Sequence, residues 1–301
     1  MCEVDNFYSL ICGKLLGDGG ITKQKQRKPR FQFMHRTEDF GWTNHCYQHL
    51  KDFIPLSPSA YRKVIDLRLR KGFSESYIVQ SQTDNIITNL YMEWYPTGKK
   101  SLPFNFIEQY LNETTLAWWY QDDGHLKIVN GFVSKLILST DSFSTEENRF
   151  LTQLLFDKFK LRFLTDSQNR LILYDKFQII YFLHLVSPWL HQSMSRKAMP
   201  EQPLRPIAKR TTIYLPEKFI LHKPTFEINA KLNTLCTLFQ HSNKQVSVPI
   251  IFAKFNPLLA KKINVTGYQI IIDENHRETL ARIRQQTGLT ISQLAEYCFR
   301  E

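Results

Sequence analysis

Residues 11–19 read ICGKLLGDG and residues 116–124 read LAWWYQDDG. Both are helix-compatible runs of small or apolar residues that end in aspartate followed by glycine. Asp18 and Asp123 therefore hold equivalent places in a duplicated pattern. Glycine after the aspartate suits a helix end, because it adopts the closing backbone conformations without a side-chain clash. In the first run Gly13 and Gly17 lie four apart, on one helical face. Each glycine costs about 1 kcal/mol against alanine inside a helix, so a pair at this spacing points to another backbone passing close by. Two such helices side by side would bring Asp18 and Asp123 together at one end of the pair.

Outward from the motifs, RFQFMH (30–35), IDLRLR (65–70) and SYIVQSQ (76–82) alternate as strands do. In IDLRLR, Ile65, Leu67 and Leu69 face one way, toward helices, while Asp66, Arg68 and Arg70 face the other. The second half repeats the order with SKLILSTDS (134–142) and a hairpin over RFLTDSQNRLILYD (162–175). Between them a helix starts at Ser144, with Glu147 completing a capping box and Phe150, Leu154 and Leu155 on one stripe. EQPLRPIAKR (201–210), with two prolines, reads as a linker.

The chain has 301 residues, 43% hydrophobic, with 39 Lys and Arg against 28 Asp and Glu, a net charge of +11. That balance favours long-range attraction to a polyanion. No apolar run is long enough to cross a bilayer, and the acidic start MCEVDNFYSL is unlike a secretory leader, so no membrane partner is expected. The five cysteines, at 2, 12, 46, 236 and 298, are odd in number and include no C-x-x-C pair. That argues against a zinc site or disulfide framework and for a reducing compartment: cytoplasm, nucleoid or organelle matrix. His184 and His191 read as core or surface residues, and Trp118, Trp119 and Tyr120 as packing residues of the second motif helix.

LAWWYQDDG resembles the LA-aromatic-W-aromatic-x-DDG form found in LAGLIDADG homing endonucleases, specifically the single-chain, double-motif, intron-encoded branch. ICGKLLGDG is the looser match, with Lys14 and Leu16 in place of residues of the namesake string. The likeness continues through KKSLP (99–103), EQYL (108–111), STDSF (139–143) and the stretch from Ile172 to Pro200, covering roughly residues 5–204. It implies an α+β fold of two pseudo-symmetric αββαββα repeats, residues 1–112 and 113–204, each with an antiparallel DNA-binding sheet. A smaller C-terminal α/β domain, residues 205–301, follows.

The activity implied is site-specific double-strand DNA cleavage by a monomer, on a long asymmetric target. Cleavage requires a nucleophilic hydroxide, a stabilised leaving oxygen and neutralised phosphate charge, which Mg2+ or Mn2+ supplies. Asp18 and Asp123 are the implied ligands, with the carbonyls of Gly17 and Asp122 secondary; the Asp122 side chain points elsewhere on its helix. Lys100 in KKSLP and Lys197 in SRKAMP match the family's two active-site lysines, with Lys99 and Arg196 as their immediate neighbours. An RNA-binding splicing maturase acting on intron RNA, or a non-cutting DNA-binding regulator, would share the fold. Retention of both aspartates argues against the regulator, since an unused acidic pair near phosphates is costly.

Exposed strand faces and their loops are the expected DNA contacts. KQKQRKPR (23–30) carries Lys23, Lys25, Arg27, Lys28 and Arg30, extended by Gln32, Arg68, Arg70 and Lys71. Lys127, Arg162 and Arg170 are the counterparts in the second half. Arginine pairs bidentately with guanine, glutamine with adenine, and lysine more often meets phosphate.

Residues 205–301 hold 14 Lys and Arg against 7 Asp and Glu, a net of +7, so the smaller part is the more basic. Residues 268–301 read as a strand and two helices, with Gly288 ending the first and Thr290 and Gln293 capping the second. Ile291, Leu294, Ala295 and Cys298 form the apolar stripe of that second helix. The layout resembles a ribbon–helix–helix module. TTIYLPEKF (211–219), with a helix around Ile228, Leu232, Leu235 and Phe239, reads as a second copy that completes the ribbon within one chain.

Overall fold

Two helices that are apolar on nearly every side must be covered on every side, and they sit at the centre of the first two-thirds of the chain. The computed structural model describes residues 3–241, 247–259 and 264–300. The first repeat runs α1 (Glu3–Leu16), β1 (Gly20–Thr22), β2 (Arg30–Arg36), α2 (Phe40–Leu50), β3 (Ala60–Ile65), β4 (Phe73–Gln80), α3 (Asn85–Trp94) and a short α4 (Phe104–Tyr110). The second runs α5 (Glu113–Asp123), β5 (Gly124–Val129), β6 (Phe132–Leu138), α6 (Thr145–Phe159), β7 (Leu164–Thr165), β8 (Leu171–Leu173) and α7 (Lys176–Val186). The two sheets follow the same path, β1-β2-β4-β3 and β5-β6-β8-β7. The αββαββα order and its duplication are thus present.

Close approach of α1 and α5 depends on the two glycines. A β-carbon on Gly13 would lie 2.7 Å from Trp118 Cβ and 2.8 Å from the Thr115 carbonyl oxygen. One on Gly17 would lie 2.5 Å from Asp122 Cβ. Both distances are below what real side chains allow, so alanine at either position would push the helices apart. Polar ties complete the seam: the Thr115 hydroxyl donates to the Ser9 carbonyl at 3.0 Å, and Asn112 Nδ2 donates to Ser9 Oγ at 2.9 Å. The helix at Ser144 forms as expected, its capping box with Glu147 complete.

One strand differs from the reading of the sequence. In the first sheet β3 is Ala60–Ile65, and residues 66–72 form the turn into β4. The Asp66 N–H donates to the Gly72 carbonyl at 2.9 Å, while the Asp66 carboxylate accepts from the Arg68 N–H and guanidinium. Gly72 has φ +72°, which a glycine adopts freely. Ile65, Leu67 and Leu69 consequently face water (79%, 88% and 44% exposed) rather than the helices. Apolar and charged residues alternate there, but an aspartate that caps its own turn overrides the pattern.

The C-terminal elements are β9 (Arg210–Pro216), α8 (Pro224–His241), α9 (Val248–Leu259), β10 (Val265–Ile271), α10 (Glu274–Thr287) and α11 (Ile291–Arg300). A strand followed by two helices therefore occurs twice, and β9 pairs antiparallel with β10 along its full length. Ile213, Leu215, Ile228, Leu232, Ile270, Leu280 and Leu294 share one core. Gly288 ends α10 at φ +76°, and Thr290 and Gln293 cap α11 reciprocally. By compactness the chain forms two units. One comprises residues 1–126, 136–172 and 185–198; the other 127–135, 173–184 and 199–301. Among the described residues no helix is long and apolar enough to cross a membrane.

Candidate active site

Where α1 ends, the backbone tightens: the Gly17 N–H bonds the Gly13 carbonyl at 3.1 Å and the Gly19 N–H bonds the Lys14 carbonyl at 2.7 Å. Asp18 emerges from that turn with its side chain 38% exposed. Asp123 is the last residue of α5, and its carbonyl accepts from the Ser139 N–H at 3.0 Å. Burial raises the carboxyl pKa of Asp18, and the negative charge of Asp122 raises it further against the pull of Lys14 and His35. Asp123 is pushed up to about 7, first by burial, then by the charges of Asp18 and Asp122, with Lys100 and Lys197 opposing. The duplicated helix ends thus hold two carboxylates close enough for one to resist the other's ionisation.

Each of the two lysines approaches a motif. Lys100 Nζ donates to the Gly19 carbonyl at 3.2 Å. Lys197 Nζ donates to the carbonyls of Tyr120, Gln121 and Asp122 at 3.0, 2.5 and 3.0 Å. These belong to the last turn of α5, whose final carbonyls run out of backbone donors after the Gly124 N–H bonds the Tyr120 carbonyl, and where a cation is favoured. Burial lowers both ammonium groups to about 8, while the surrounding aspartates hold them back from falling further. Their sequence neighbours lie elsewhere. Lys99 is exposed. Arg196 grips Asp39 through two bonds of 2.7 and 2.9 Å, beside Arg36 Nε at 3.0 Å from the same carboxylate.

Asp122 is the largest feature missing from the sequence reading. Its carboxylate is fully buried and accepts on every side. Lys14 Nζ lies 2.7 Å from Oδ2 and 2.9 Å from Oδ1, and Trp42 Nε1 donates to Oδ1 at 2.8 Å. The Asp18 N–H donates to Oδ2 at 3.1 Å, and His35 Nε2 lies 3.2 Å from Oδ1. Lys14 also stands 4.6 Å above the Phe33 ring. Burial alone would raise the Asp122 pKa, but Lys14 and His35 outweigh it and the net shift is downward. For Lys14 burial acts to lower the pKa, and the charges of Asp122 and Asp18 more than reverse it. The signal was present as a pair of exceptions. A lysine interrupts the small apolar run of the first motif, and a second aspartate doubles the end of the other.

Asp18, His35 and Asp122 place ligand-capable atoms within 4.8 Å of one another. Because both Asp122 oxygens are spent on Lys14, Trp42, His35 and the Asp18 N–H, a cation at that trio would have to displace a buried lysine. The Asp122 carbonyl meanwhile accepts from Lys197, and Asp18, whose Oδ2 lies 3.7 Å from His35 Nε2, opens into a cavity of about 250 Å³ along the outer face of the first sheet.

That face is set by register. Gln32 pairs with Gln80, Met34 with Ile78 and Arg36 with Ser76, while Arg62 pairs with Ser76 from the other side. Phe31, Phe33 and His35 point the opposite way, into the core. Lys23, Lys25, Arg27 and Lys28 lie exposed in the β1–β2 loop, with Arg30 exposed at the start of β2. Gln32 Oε1 accepts from Gln80 Nε2 at 3.0 Å. Arg70, Lys71 and Lys127 are exposed and Arg162 half-buried. Arg68 and Arg170 each fold onto a nearby aspartate, Asp66 and Asp166, inside their own turns. Arg36 and Arg62 were missed by the sequence reading, although alternation within RFQFMHR and AYRKVI carries both.

Residues 8–202 match the family described as the LAGLIDADG DNA endonuclease family. An uncharacterized protein of Methanocaldococcus jannaschii is 29% identical over 208 residues, covering 64% of this chain and 73% of that protein. The intron-encoded endonuclease ai4 of Dictyostelium discoideum is 31% identical over 130 residues, 41% of this chain and 77% of its own length. Among solved structures, the homing endonuclease I-WcaI bound to its DNA recognition sequence superposes with a TM-score of 0.56 at 22% identity. That match covers 64% of this chain and 85% of the other, and at such identity it speaks to the fold.

Proposed function

The chain belongs to the LAGLIDADG DNA endonuclease family, and on that premise we propose that it cuts both strands of a specific DNA duplex with divalent metal held by Asp18 and Asp123. What carries this reading is the placement of Asp18 and Asp123 at equivalent ends of two closely crossing helices, where burial and neighbouring negative charge raise both carboxyls. A duplex presents its two scissile phosphates about a two-fold axis, and a duplicated fold offers one carboxylate to each. The donor set suits a hard cation, which takes oxygen ligands and tolerates neighbouring negative charge. When bound, Mg2+ or Mn2+ supplies charge neutralisation at the phosphate and an activated water.

The chain's own residues do the rest. Asp18 and Asp123 hold the site, with the carbonyls of Gly17 and Asp122 beside them. Lys197 fixes the last turn of α5 and so the position of Asp123. With a pKa of about 8, Lys100 can keep or give up a proton near neutral pH while facing developing negative charge. Arg30, Gln32, Arg36 and Arg62 on the outer sheet face, with the cations of the β1–β2 loop, place the duplex.

Asp18→Asn and Asp123→Asn test the assignment. Each keeps the side-chain volume and removes a charge, so plasmid cleavage with Mg2+ should fall by about a hundred-fold or more. Gel-shift binding in Ca2+ should persist. Full cleavage by both variants would remove the catalytic assignment. Tight binding of intron RNA in place of duplex DNA, with no cutting, would move the protein to the splicing alternative.

A further inference from the structure

The β9–β10 ribbon is a two-stranded sheet, registered from Arg210 opposite Ile271 to Pro216 opposite Val265, with Thr212 facing Gln269. Ile213, Leu215 and Ile270 on one side are sunk in the core of the C-terminal elements. The other side is open: Arg210, Thr212 and Tyr214 on β9 and Gln269 on β10 all face solvent. The fourteen ribbon residues include one arginine and no aspartate or glutamate. Hydrogen-bonding side chains on a narrow ribbon without acidic groups match a B-form major groove in both shape and chemistry, since that groove is about 12 Å wide and admits a two-stranded ribbon.

Beside the ribbon lies a cavity of about 250 Å³ lined by Lys176, Arg205 and Arg284, together with Phe132, Gly288 and Thr290. No carboxylate lines it. Among the described residues none of the three cations forms a salt bridge. Arg205 lies 3.7 Å over the Phe132 ring, and Arg284 Nη2 donates to the Arg205 carbonyl at 2.9 Å. Three uncompensated positive groups around one cavity call for an anion. The first turn of α11 borders the same cavity, and Ser292 Oγ in that turn accepts from the Tyr214 N–H of the ribbon at 3.0 Å. The cavity and the open ribbon face are therefore tied to one helix end.

We propose that this unit carries a second duplex-DNA contact surface. Arg210, Thr212, Tyr214 and Gln269 lie in a major groove, and the Lys176–Arg205–Arg284 cavity takes a backbone phosphate. The surface shares no residue with the carboxylate centre, so the two assignments fail separately. It also discriminates between nucleic acids, because the deep, narrow major groove of an A-form RNA duplex does not admit a ribbon.

The test uses the full chain and three variants: Arg210→Ala/Thr212→Ala/Gln269→Ala, Thr212→Glu/Gln269→Glu, and Arg205→Gln/Arg284→Gln. Duplexes are selected from a random DNA library with the unaltered chain and then probed by gel shift, salt titration and guanine-N7 methylation interference. The alanine variant should bind about ten-fold more weakly and lose base preference over one segment of the selected site. The glutamate variant should bind more weakly still, because it places charge against phosphate. The cavity variant should weaken binding to every sequence and make the slope of log affinity against log salt shallower by about 2. Thermal melting confirms that each variant is folded. Cleavage by the alanine and cavity variants at saturating protein should be unchanged; loss of cleavage confined to Asp18→Asn and Asp123→Asn concerns only the other centre. Unaltered affinity, slope and interference in all three variants would overturn the proposal. So would equal competition by an RNA duplex of the same sequence.

Discussion

Replacing Lys14 with methionine should be among the most damaging single changes in this chain, although Lys14 is absent from the chemistry. Both members of the Lys14–Asp122 pair are fully buried, and the pair is 2.7 Å apart. Methionine nearly preserves the volume, so the loss is electrostatic. The Asp122 carboxylate would keep only Trp42, His35 and the Asp18 N–H as partners. Removing one member of a buried ion pair costs about 3–5 kcal/mol. For a domain of this size, about 2–4 °C of melting temperature accompanies each kcal/mol, so a drop of about 6–20 °C is expected. The assay is urea and thermal unfolding in a double-mutant cycle of Lys14→Met, Asp122→Asn and the pair. Neutralising both ends removes the unpaired charge, so the double variant should be no less stable than the worse single one. A Lys14→Met cost below about 1 kcal/mol, or strict additivity of the two changes, would refute the reasoning.

Gly13→Ala should destabilise by about 1–3 kcal/mol in urea unfolding, because its β-carbon meets Trp118 Cβ and the Thr115 carbonyl of the facing helix; an unchanged midpoint would deny the close crossing. Affinity for target duplex should fall linearly in log–log form, losing on the order of a thousand-fold between 50 and 200 mM salt; a flat titration would remove the sheet faces from the DNA interface. Burial first, then His49 and His191, lowers His45 to about 4. The unfolded chain therefore binds the extra proton between about pH 6.5 and 4, and stability is lost as pH falls through that window. The melting-temperature difference between the unaltered chain and His45→Gln should shrink over the same interval, and a constant difference would contradict the assignment.

The duplicated fold was legible because its signals are local. A helix that ends in Asp-Gly, a capping box at Ser144 and a strand alternating Phe31, Phe33 and His35 against Arg30, Gln32 and Met34 need no distant partner. The tail was readable for the same reason, through Gly288 and the Thr290–Gln293 cap. Lys14 and Asp122 were visible as exceptions within their motifs, yet nothing local states that residues 108 apart in sequence meet in one buried pair. IDLRLR misled because alternation is equally compatible with a turn once Asp66 can bond its own backbone. The remaining gap concerns arginines. Composition marks Arg36, Arg62, Arg68 and Arg170 alike as cationic; only the register puts Arg36 and Arg62 on the open face, and only the structure shows Arg36, Arg68 and Arg170 each meeting a nearby aspartate, Asp39, Asp66 and Asp166.

The seam between α1 and α5 carries a consequence for ancestry. Gly13 occupies in its motif the place that Trp118 holds in the other, and Gly17 the place of Asp122, so each glycine faces its own counterpart across the seam. Two copies of the first half would oppose glycine to glycine and strand two lysines without a carboxylate. Two copies of the second would drive tryptophan against tryptophan and aspartate against aspartate. Expressed as separate polypeptides, the halves are expected to assemble with each other and not with themselves. A lineage that reached this arrangement by fusing two identical genes can no longer shed one copy and survive on the remaining one as a symmetric pair.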